Sequence, residues 1–172
     1  MKVILALILL GQTVLPSARP DESAIVNVQG TSPWTDTGIV IRAGDRIEMR
    51  AWGAIRFDAA SPPTSAGPAG TGSSTGGCEY VVTDPRVPAH SLVANVAEEM
   101  TFDGRGFLVG TSWKGTAPIA GTTAPAGHLF VGFNDRAMMC DRSGYDSWAF
   151  RNRNSGAFTT SITITRRRSR NF

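Results

Sequence analysis

Hydrophobic and polar residues alternate along several short stretches of this chain. In residues 47–52, Ile, Met and Ala would lie on one face of a strand, and Glu, Arg and Trp on the other. In residues 158–165, Phe, Thr and Ile alternate with Thr and Ser in the same way. Because successive side chains of a strand point to opposite faces, this period of two predicts half-buried antiparallel strands at both places.

Short apolar runs predict further strands. They lie at residues 23–28, 38–41, 92–96, 100–102, 107–109 and 129–133. The last of these runs is apolar on both faces, so we expect it in the centre of a sheet. The turn at residues 43–45 separates two predicted strands and predicts that they form a hairpin. Because 19 Gly and 10 Pro residues interrupt any helical periodicity, the sequence predicts an all-β antiparallel sandwich.

The first residues of the chain have the layout of a secretory signal peptide. Lys2 is followed by an apolar run over residues 3–10, which is too short to span a bilayer, and small or polar residues then lead to Ala18. We expect cleavage near Ala18 and export to the periplasm or the medium. The predicted organisation is a signal peptide at 1–18, a single sandwich domain at 19–165 and a basic tail at 166–172.

The net charge of +3 has its source at the C-terminal end of the chain. The arginines of that end are Arg166, Arg167, Arg168 and Arg170. A terminal cluster of this kind can attract a polyanion such as nucleic acid, lipopolysaccharide or acidic glycan. The alternative is a solvated end that only keeps the protein soluble.

Cys78 and Cys140 are the two cysteines of the chain. An even number of cysteines in an exported protein favours a disulfide between them. In the chain-entropy model, a bond that closes so long a loop stabilises the native state by roughly 4 kcal/mol. The CxxC and HxxxH spacings typical of zinc sites are absent from the sequence. The alternative to the disulfide is therefore two free thiols.

Two long segments, residues 59–77 and 134–154, have no strand pattern. Long loops in a compact domain are usually functional or disordered. The second segment is polar, and its Asn and Asp residues are Asn134, Asp135, Asp141, Asp146, Asn152 and Asn154. Because Ca²⁺ binds about six to eight such oxygens, this loop is a candidate cation site. Arginines at 142, 151 and 153 oppose a cation, and the alternative is that Asn, Asp and Gly only form turns.

Five segments of the sequence together form a pattern. They are Trp34-Thr35-Asp36-Thr37-Gly38-Ile39, Ala43-Gly44-Asp45, Gly67-Pro68-Ala69-Gly70, Gly127-His128-Leu129-Phe130-Val131-Gly132-Phe133-Asn134-Asp135 and Asn154-Ser155-Gly156-Ala157-Phe158. In this order they resemble the calcium-dependent bacterial lectins of the LecA (PA-IL) type, over roughly residues 24–165. The resemblance implies a jelly-roll-like, galactose-binding-domain-like β-sandwich with one Ca²⁺ at the rim of the sheets, where two vicinal sugar hydroxyls complete its coordination.

The same resemblance implies which residues hold that ion. The ligands would be the main-chain carbonyl of Phe57, the side chains of Asp135 and Asn154, and an oxygen from the loop between them. Asp135 and Asn154 would also contact the sugar. Both of these side chains match the family by residue type.

Position 153 departs from the family, because relatives usually have Asn or Asp there and this chain has Arg153. An arginine side chain has no acceptor to offer a cation and would repel it. Either Asp141 and Asn152 replace the lost ligand, or Arg153 takes the place of the cation and pairs with Asp135. The second arrangement would be a metal-free site.

Three aromatic residues in or near loops, Trp113, Tyr145 and Trp148, are candidates to stack on a sugar face. The alternative for Trp148 is that it covers the end of the sandwich. The His and Gln that contact galactose in the family fall near Ser74 and Gly77, where neither residue type is present. The resemblance therefore implies carbohydrate binding without implying galactose specificity.

We therefore expect an exported carbohydrate-binding module, with Ca²⁺ as its candidate cofactor and a carbohydrate or glycoconjugate as its partner. The alternative from another class is an envelope-associated structural sandwich that has lost metal and sugar and binds polyanions through its arginine-rich tail. We expect no enzymatic activity, because a Gly-x-Ser-x-Gly elbow and a cysteine nucleophile pattern are absent from the sequence.

Overall fold

A computed structural model of the chain describes residues 21–57, 64–72, 77–100, 102–116, 126–136 and 153–167. Its β-strands are β1 (Glu22–Gln29), β2 (Trp34–Arg42), β3 (Arg46–Arg56), β4 (Ser65–Ala66), β5 (Leu92–Ala97), β6 (Phe107–Leu108), β7 (Ser112–Thr116), β8 (Ala126–Phe133) and β9 (Ser155–Thr165). These strands form two antiparallel sheets. The predicted all-β sandwich is confirmed.

The two long, regular strands β9 and β8 organise one sheet each. The first sheet has the order β1-β9-β3-β4, with β7 also paired to β3, and we call it sheet A. The second has the order β2-β8-β5-β6, and we call it sheet B. The prediction that the apolar run at 129–133 is a central strand is confirmed, because β8 has a partner on each side.

The core lies between the sheets and follows from the period of two. Met49 of β3 pairs with Ile162 of β9, and both side chains are fully buried. From opposite sheets, the rings of Phe133 and Phe158 meet edge to face with centroids 5.9 Å apart. Burying such a side chain stabilises the fold by about 1.5–3 kcal/mol, so the facing inner rows hold the sheets together.

The predicted hairpin between β2 and β3 is wrong. β2 pairs with β8 in sheet B, whereas β3 pairs with β9 in sheet A. The turn between them is a corner that carries the chain from one sheet to the other. Its last residue, Asp45, is buried, and its carboxylate accepts hydrogen bonds from Arg42 N at 3.0 Å and from Arg166 Nη1 at 2.7 Å. A short turn between two strand patterns does not distinguish a hairpin from such a corner.

The strand predicted at residues 100–102 is also wrong in the described part of that stretch, where positions 100 and 102 carry no strand structure and 101 lies outside the description. Met100 is exposed, and Phe102 is only partly buried against the core. The run lies after the exposed pair Glu98 and Glu99, beyond the last residue of β5.

Arg166 belongs to the folded domain and not to an exposed tail. Only 5% of its side chain is accessible to solvent. Its Nη1 donates to the carbonyl of Val40 at 2.7 Å and to Asp45 Oδ2 at 2.7 Å, and its Nη2 pairs with Glu22. Its main-chain N donates to Asp21 Oδ1 at 3.0 Å. The prediction that Arg166 takes part in polyanion binding is therefore wrong, because the guanidinium is already bound inside the protein.

These contacts also set the charge state of Asp45. Burial raises the pKa of this carboxyl, but hydrogen bonds from Arg166 and from the main-chain N–H groups of Arg42 and Arg167 outweigh it. The net effect is a pKa below the ordinary value of 3.8. Asp45 is thus ionised at neutral pH and forms a buried ion pair with Arg166. We call this ion pair, with Glu22 and Asp21, the Arg166 clamp.

The predicted signal peptide at 1–18 and the arginines Arg168 and Arg170 lie outside the described residues. Within the described ranges, no helix is long and apolar enough to cross a membrane.

Replacing Arg166 by Ala should destabilise the protein by about 3–5 kcal/mol, because Asp45 would be left as a buried carboxylate without its counter-ion. Arg167→Ala is the matched control, since Arg167 is exposed and bonds to Asp45 through its main-chain N, which the substitution keeps. We expect the control to change stability by less than about 1 kcal/mol. Urea denaturation measures both variants, and equal midpoints for the two would contradict the clamp.

Candidate functional site

The structure brings together two of the side chains singled out in the sequence. Asp135 follows β8 of sheet B, and Asn154 precedes β9 of sheet A. Asn154 Nδ2 donates a hydrogen bond to Asp135 Oδ2 at 2.7 Å. This contact joins the two sheets at one end of the sandwich. We call that end the rim.

His90 lies at the centre of the rim, although no sequence pattern had assigned it a role there. Its ring stacks on Phe57, with centroids 3.5 Å apart and planes inclined by 12°. Its Nε2 lies 3.3 Å from Asp135 Oδ1, and its Nδ1 lies 3.4 Å from Thr71 Oγ1. His90 thus connects the residue that follows β3 with the residue that follows β8. His90 is a polar residue just before the buried strand β5, and no motif around it could have identified its role.

The backbone at His90 is held in an unusual conformation, with a φ of 60°. A left-handed residue other than glycine is uncommon and costs of order 1–3 kcal/mol, and such residues cluster at functional sites. A short hydrogen bond from His90 N to the carbonyl of Asn134, 2.7 Å long, helps to hold this conformation. The imidazole is therefore positioned against Asp135 by its own main chain.

Asn134 is the structural anchor of the rim. Its side chain is fully buried, its Oδ1 accepts from Val82 N at 2.9 Å, and its Nδ2 donates to the carbonyl of Pro88 at 3.1 Å. Next to it, Tyr80 and Arg136 form a β-bridge. The segment that leads to His90 is therefore fastened alongside the end of β8.

The carboxylate of Asp135 is ionised at neutral pH. Burial raises its pKa, but hydrogen bonds from His90, from Asn154 and from the main-chain N of Arg136 lower it further, so the net pKa is below 3.8. The side chain keeps 13% of its surface exposed. The rim therefore presents a negative charge that is partly screened by donors already bound to it.

Asn154 Oδ1 is buried and has no hydrogen-bond partner among the described residues. Turning the amide would satisfy nothing, because Oδ1 would then face the carboxylate of Asp135. A buried acceptor without a partner costs about 1–3 kcal/mol. A donor or a cation at this point would remove that cost.

The described residues include part of the calcium ligand set that the sequence predicts. Asp135 supplies a carboxylate, Asn154 an unpartnered oxygen, and Phe57 follows β3 at the same rim, next to His90. Within the part of the chain that the structure describes, no three His, Cys, Asp or Glu side chains converge to hold a metal. Because Ca²⁺ requires about six to eight oxygens, further ligands would have to come from the loop that contains Asp141 and Asn152.

The remaining predicted site residues fall into two groups. Trp113 is not in a rim loop: it lies in β7, which pairs with residues 46–50 of β3, whereas Phe57 follows the opposite end of that strand. Its ring packs on Phe107 at a centroid distance of 4.8 Å, so the sugar-stacking role predicted for it has no support from its position. Arg153 is exposed beside Asn154, and the side chain of His90 lies against Asp135. Asp141, Tyr145, Trp148 and Asn152 lie outside the described residues.

Cys78 lies two residues before the Tyr80 bridge to Arg136. Among the described residues, no cysteine is free. Its predicted partner, Cys140, lies outside the described residues, so the pairing itself stays a prediction.

No family model and no curated relative matches this sequence. Among solved structures, the fold is similar to one titled "EclA N-terminal domain; PllA-like lectin", with a TM-score of 0.51 and 20% sequence identity. The match covers 82% of this chain and 95% of that chain. The chain has a lectin-like β-sandwich fold. At this identity the likeness concerns the fold alone.

Replacing Asp135 by Asn tests the electrostatics of the rim. Because the native pKa of Asp135 is lowered, its charge stabilises the fold above the unfolded value near pH 3.9, and this contribution disappears as pH falls through the native pKa. We therefore expect the difference in unfolding free energy between wild type and Asp135→Asn to be largest near neutral pH and to shrink below about pH 4. Urea denaturation across this range measures it. A difference that stays constant into strong acid would contradict this account of Asp135.

Proposed function

We propose that this protein is a carbohydrate-binding, lectin-like module that holds sugar hydroxyls at the rim. The observation that carries the proposal is the contact between Asp135 and Asn154, which places an ionised carboxylate beside a buried oxygen without a donor. The lectin title of the structural neighbour supports the same class of function. We propose no catalytic role for the rim.

The chemistry of the rim suits hydroxyl groups. An ionised carboxylate accepts charge-assisted hydrogen bonds, which are stronger than neutral ones. The Asn154 oxygen accepts one more. Two neighbouring hydroxyls of a sugar would donate to these acceptors, and the stacked pair of His90 and Phe57 would limit how far the ring moves.

We further propose that Ca²⁺ strengthens this binding. Asp135, Asn154 and the main-chain carbonyl of Phe57 would hold the ion, with Asp141 and Asn152 as additional candidate ligands. When bound, such an ion offers open coordination positions to vicinal hydroxyls. Asn154 would turn its oxygen to the ion, and Asp135 would exchange the hydrogen bonds from His90 and Asn154 for metal contacts. This competition makes the expected affinity modest.

The calcium proposal predicts the behaviour of two variants. Arg153→Asp removes a positive charge next to Asn154 and adds an oxygen, so it should tighten calcium binding, whereas Asp135→Ala should abolish it. For the wild type we expect a Kd of order 10⁻⁴ to 10⁻³ M, and calcium should raise the thermal midpoint. Glu48→Gln is the control, because Glu48 lies on an exposed strand face away from the rim. The proposal fails if calcium changes the midpoint of neither the wild type nor Arg153→Asp.

Sugar binding is tested separately from the metal. A glycan array probed with wild type and Asp135→Ala, each with calcium and with a chelator, separates the two parts of the proposal. Binding that is lost in Asp135→Ala supports the rim as the sugar site. Binding that persists in the presence of the chelator would contradict the calcium part of the proposal and would not contradict the rim as the sugar site. Absence of binding to every glycan would contradict the function.

We also propose that the protein is exported and that Cys78 and Cys140 form a disulfide. Cys140 lies four residues after Arg136 in the sequence, and Arg136 bridges to Tyr80, two residues after Cys78. The bond would therefore attach the loop that contains Cys140 to the segment that precedes Tyr80.

The disulfide proposal predicts that the double variant Cys78→Ser, Cys140→Ser is less stable than wild type by about 2–4 kcal/mol. Reductant should lower the stability of wild type and leave the double variant unchanged. A thiol assay in denaturant should detect no free thiol in the unreduced wild type. Two reactive thiols in that assay would rule the bond out.

The polyanion alternative is weaker with Arg166 buried in the clamp. It rests on Arg167, Arg168 and Arg170. A heparin-binding test should use a chain that ends after Arg167, because removal of Arg166 would also destabilise the fold.

A further inference from the structure

A cavity of about 350 Å³ lies away from the rim, on sheet B. Residues that contribute to its wall are Thr83, Asp84, Asn95, Arg105, Gly106 and Phe107. Its volume falls within the range of small-ligand pockets, about 300–1,000 Å³.

Asn95 reaches this cavity from the outer face of sheet B. In β5, Ala94 pairs with Val131, and that side of β8 also carries Phe133, whose ring meets Phe158 between the sheets. Because neighbouring side chains of a strand point to opposite faces, Asn95 points away from the sandwich core. The segment that carries Thr83 and Asp84 covers it there.

Asn95 lines this cavity in a mostly buried position. The residue is 4% exposed, and its side chain makes no hydrogen bond to the residues that the structure describes. A side-chain amide in such a position is normally paired with protein, with ordered water or with a ligand. The cavity is also much larger than the roughly 10–15 Å³ that one water requires. Both observations point to a ligand with its own donor and acceptor.

Both charged side chains in the cavity wall are paired with residues of opposite charge. Asp84 accepts two hydrogen bonds from the guanidinium of Arg86, at 2.9 and 2.6 Å, which lower its pKa to about 2. Arg105 pairs with Asp103 at 3.5 Å. A charged ligand would have to compete with these pairs, so a neutral ligand fits better.

Apolar contacts complete the wall. Phe107 supplies a half-buried aromatic side chain. The backbone of Gly106 lies close to its neighbours, since a Cβ there would be 2.7 Å from Val82 Cγ2 and 2.9 Å from the carbonyl oxygen of Ala94. A few polar groups on an apolar wall are typical of sites for small polar molecules.

We propose that this cavity is a second binding site, for one neutral sugar residue, in which the Asn95 amide donates to one hydroxyl and accepts from another. The choice of a sugar rests on the proposed function of the rim, whereas the site itself does not. The two sites are separate: Leu92 of β5 pairs with Phe133 beside the rim, and Asn95 lies three residues further on, about 10 Å along the strand.

Asn95→Val is the first test, because it removes the amide and keeps a side chain suited to a strand. In a binding site, the amide serves the ligand and not the fold, so the thermal midpoint of the free protein should rise by about 2–4 °C while sugar affinity falls about tenfold. Asn27→Val is the control: Asn27 lies exposed in β1, and the change should leave sugar affinity unaltered. A lower midpoint for Asn95→Val would show a structural role for the amide and overturn the proposal.

Side-chain amide signals in NMR spectra distinguish the two sites. The Asn95 and Asn154 signals are assigned by their loss in Asn95→Val and Asn154→Ala. Methyl β-D-galactopyranoside, methyl α-D-mannopyranoside and N-acetyl-D-glucosamine serve as probes. At least one should shift the Asn95 signals in wild type, in Asp135→Ala and in the presence of EDTA.

The outcomes separate this proposal from that for the rim. Shifts at Asn154 alone would overturn the second site and leave the rim function intact. Shifts at Asn95 that vanish in Asp135→Ala would also overturn it, because the two sites would then not be independent. If no probe shifts the Asn95 signals, the second site is wrong.

Discussion

The edge-to-face contact between Phe133 and Phe158 is the constraint on which the rest of the structure depends. It joins the central strand of one sheet to the central strand of the other. Asp135 follows the first ring by two residues, and Asn154 precedes the second by four. Once the rings are packed, the carboxylate and the amide have little freedom to lie anywhere but against each other. The rim is therefore a product of core packing more than of its own loops.

The strand β9 is tied to sheet B at both of its ends by a carboxylate. Before it begins, Asn154 bonds to Asp135, which follows β8; after it ends, Arg166 bonds to Asp45, which follows β2. Both carboxyl groups have lowered pKa values despite burial. Each end leaves one buried polar atom without a partner among the described residues: the donor Nε of Arg166 at the clamp and the acceptor Oδ1 of Asn154 at the rim. The free atom at the rim is an acceptor beside an ionised carboxylate, and this pair of acceptors suits a hydroxyl donor or a cation.

Period-two patterns predicted the strands that carry the core, and the order of the lectin-like segments predicted that Asp135 and Asn154 would be close. Two of the failures, the hairpin and the role of Arg166, have a common cause. The turn before β3 and the arginine after β9 were judged from neighbours in sequence, whereas Asp45 and Arg166 find each other across 121 positions. His90 likewise acquires its role from Phe57 and Asp135, which are distant along the chain. A local pattern predicts which strands form, but long-range partners decide where they go.

The first and last strands of the domain lie side by side, with Glu22 paired to Ile164, so both ends of the folded chain emerge at the same corner. A mechanical load applied across those ends would peel β1 from β9 one hydrogen bond at a time, starting at this corner. The ion pair and the main-chain bond that join Arg166 to Glu22 and Asp21 are the first connections such a load would meet. Arg166 therefore joins the two ends of the domain to each other as well as stabilising the corner between the sheets.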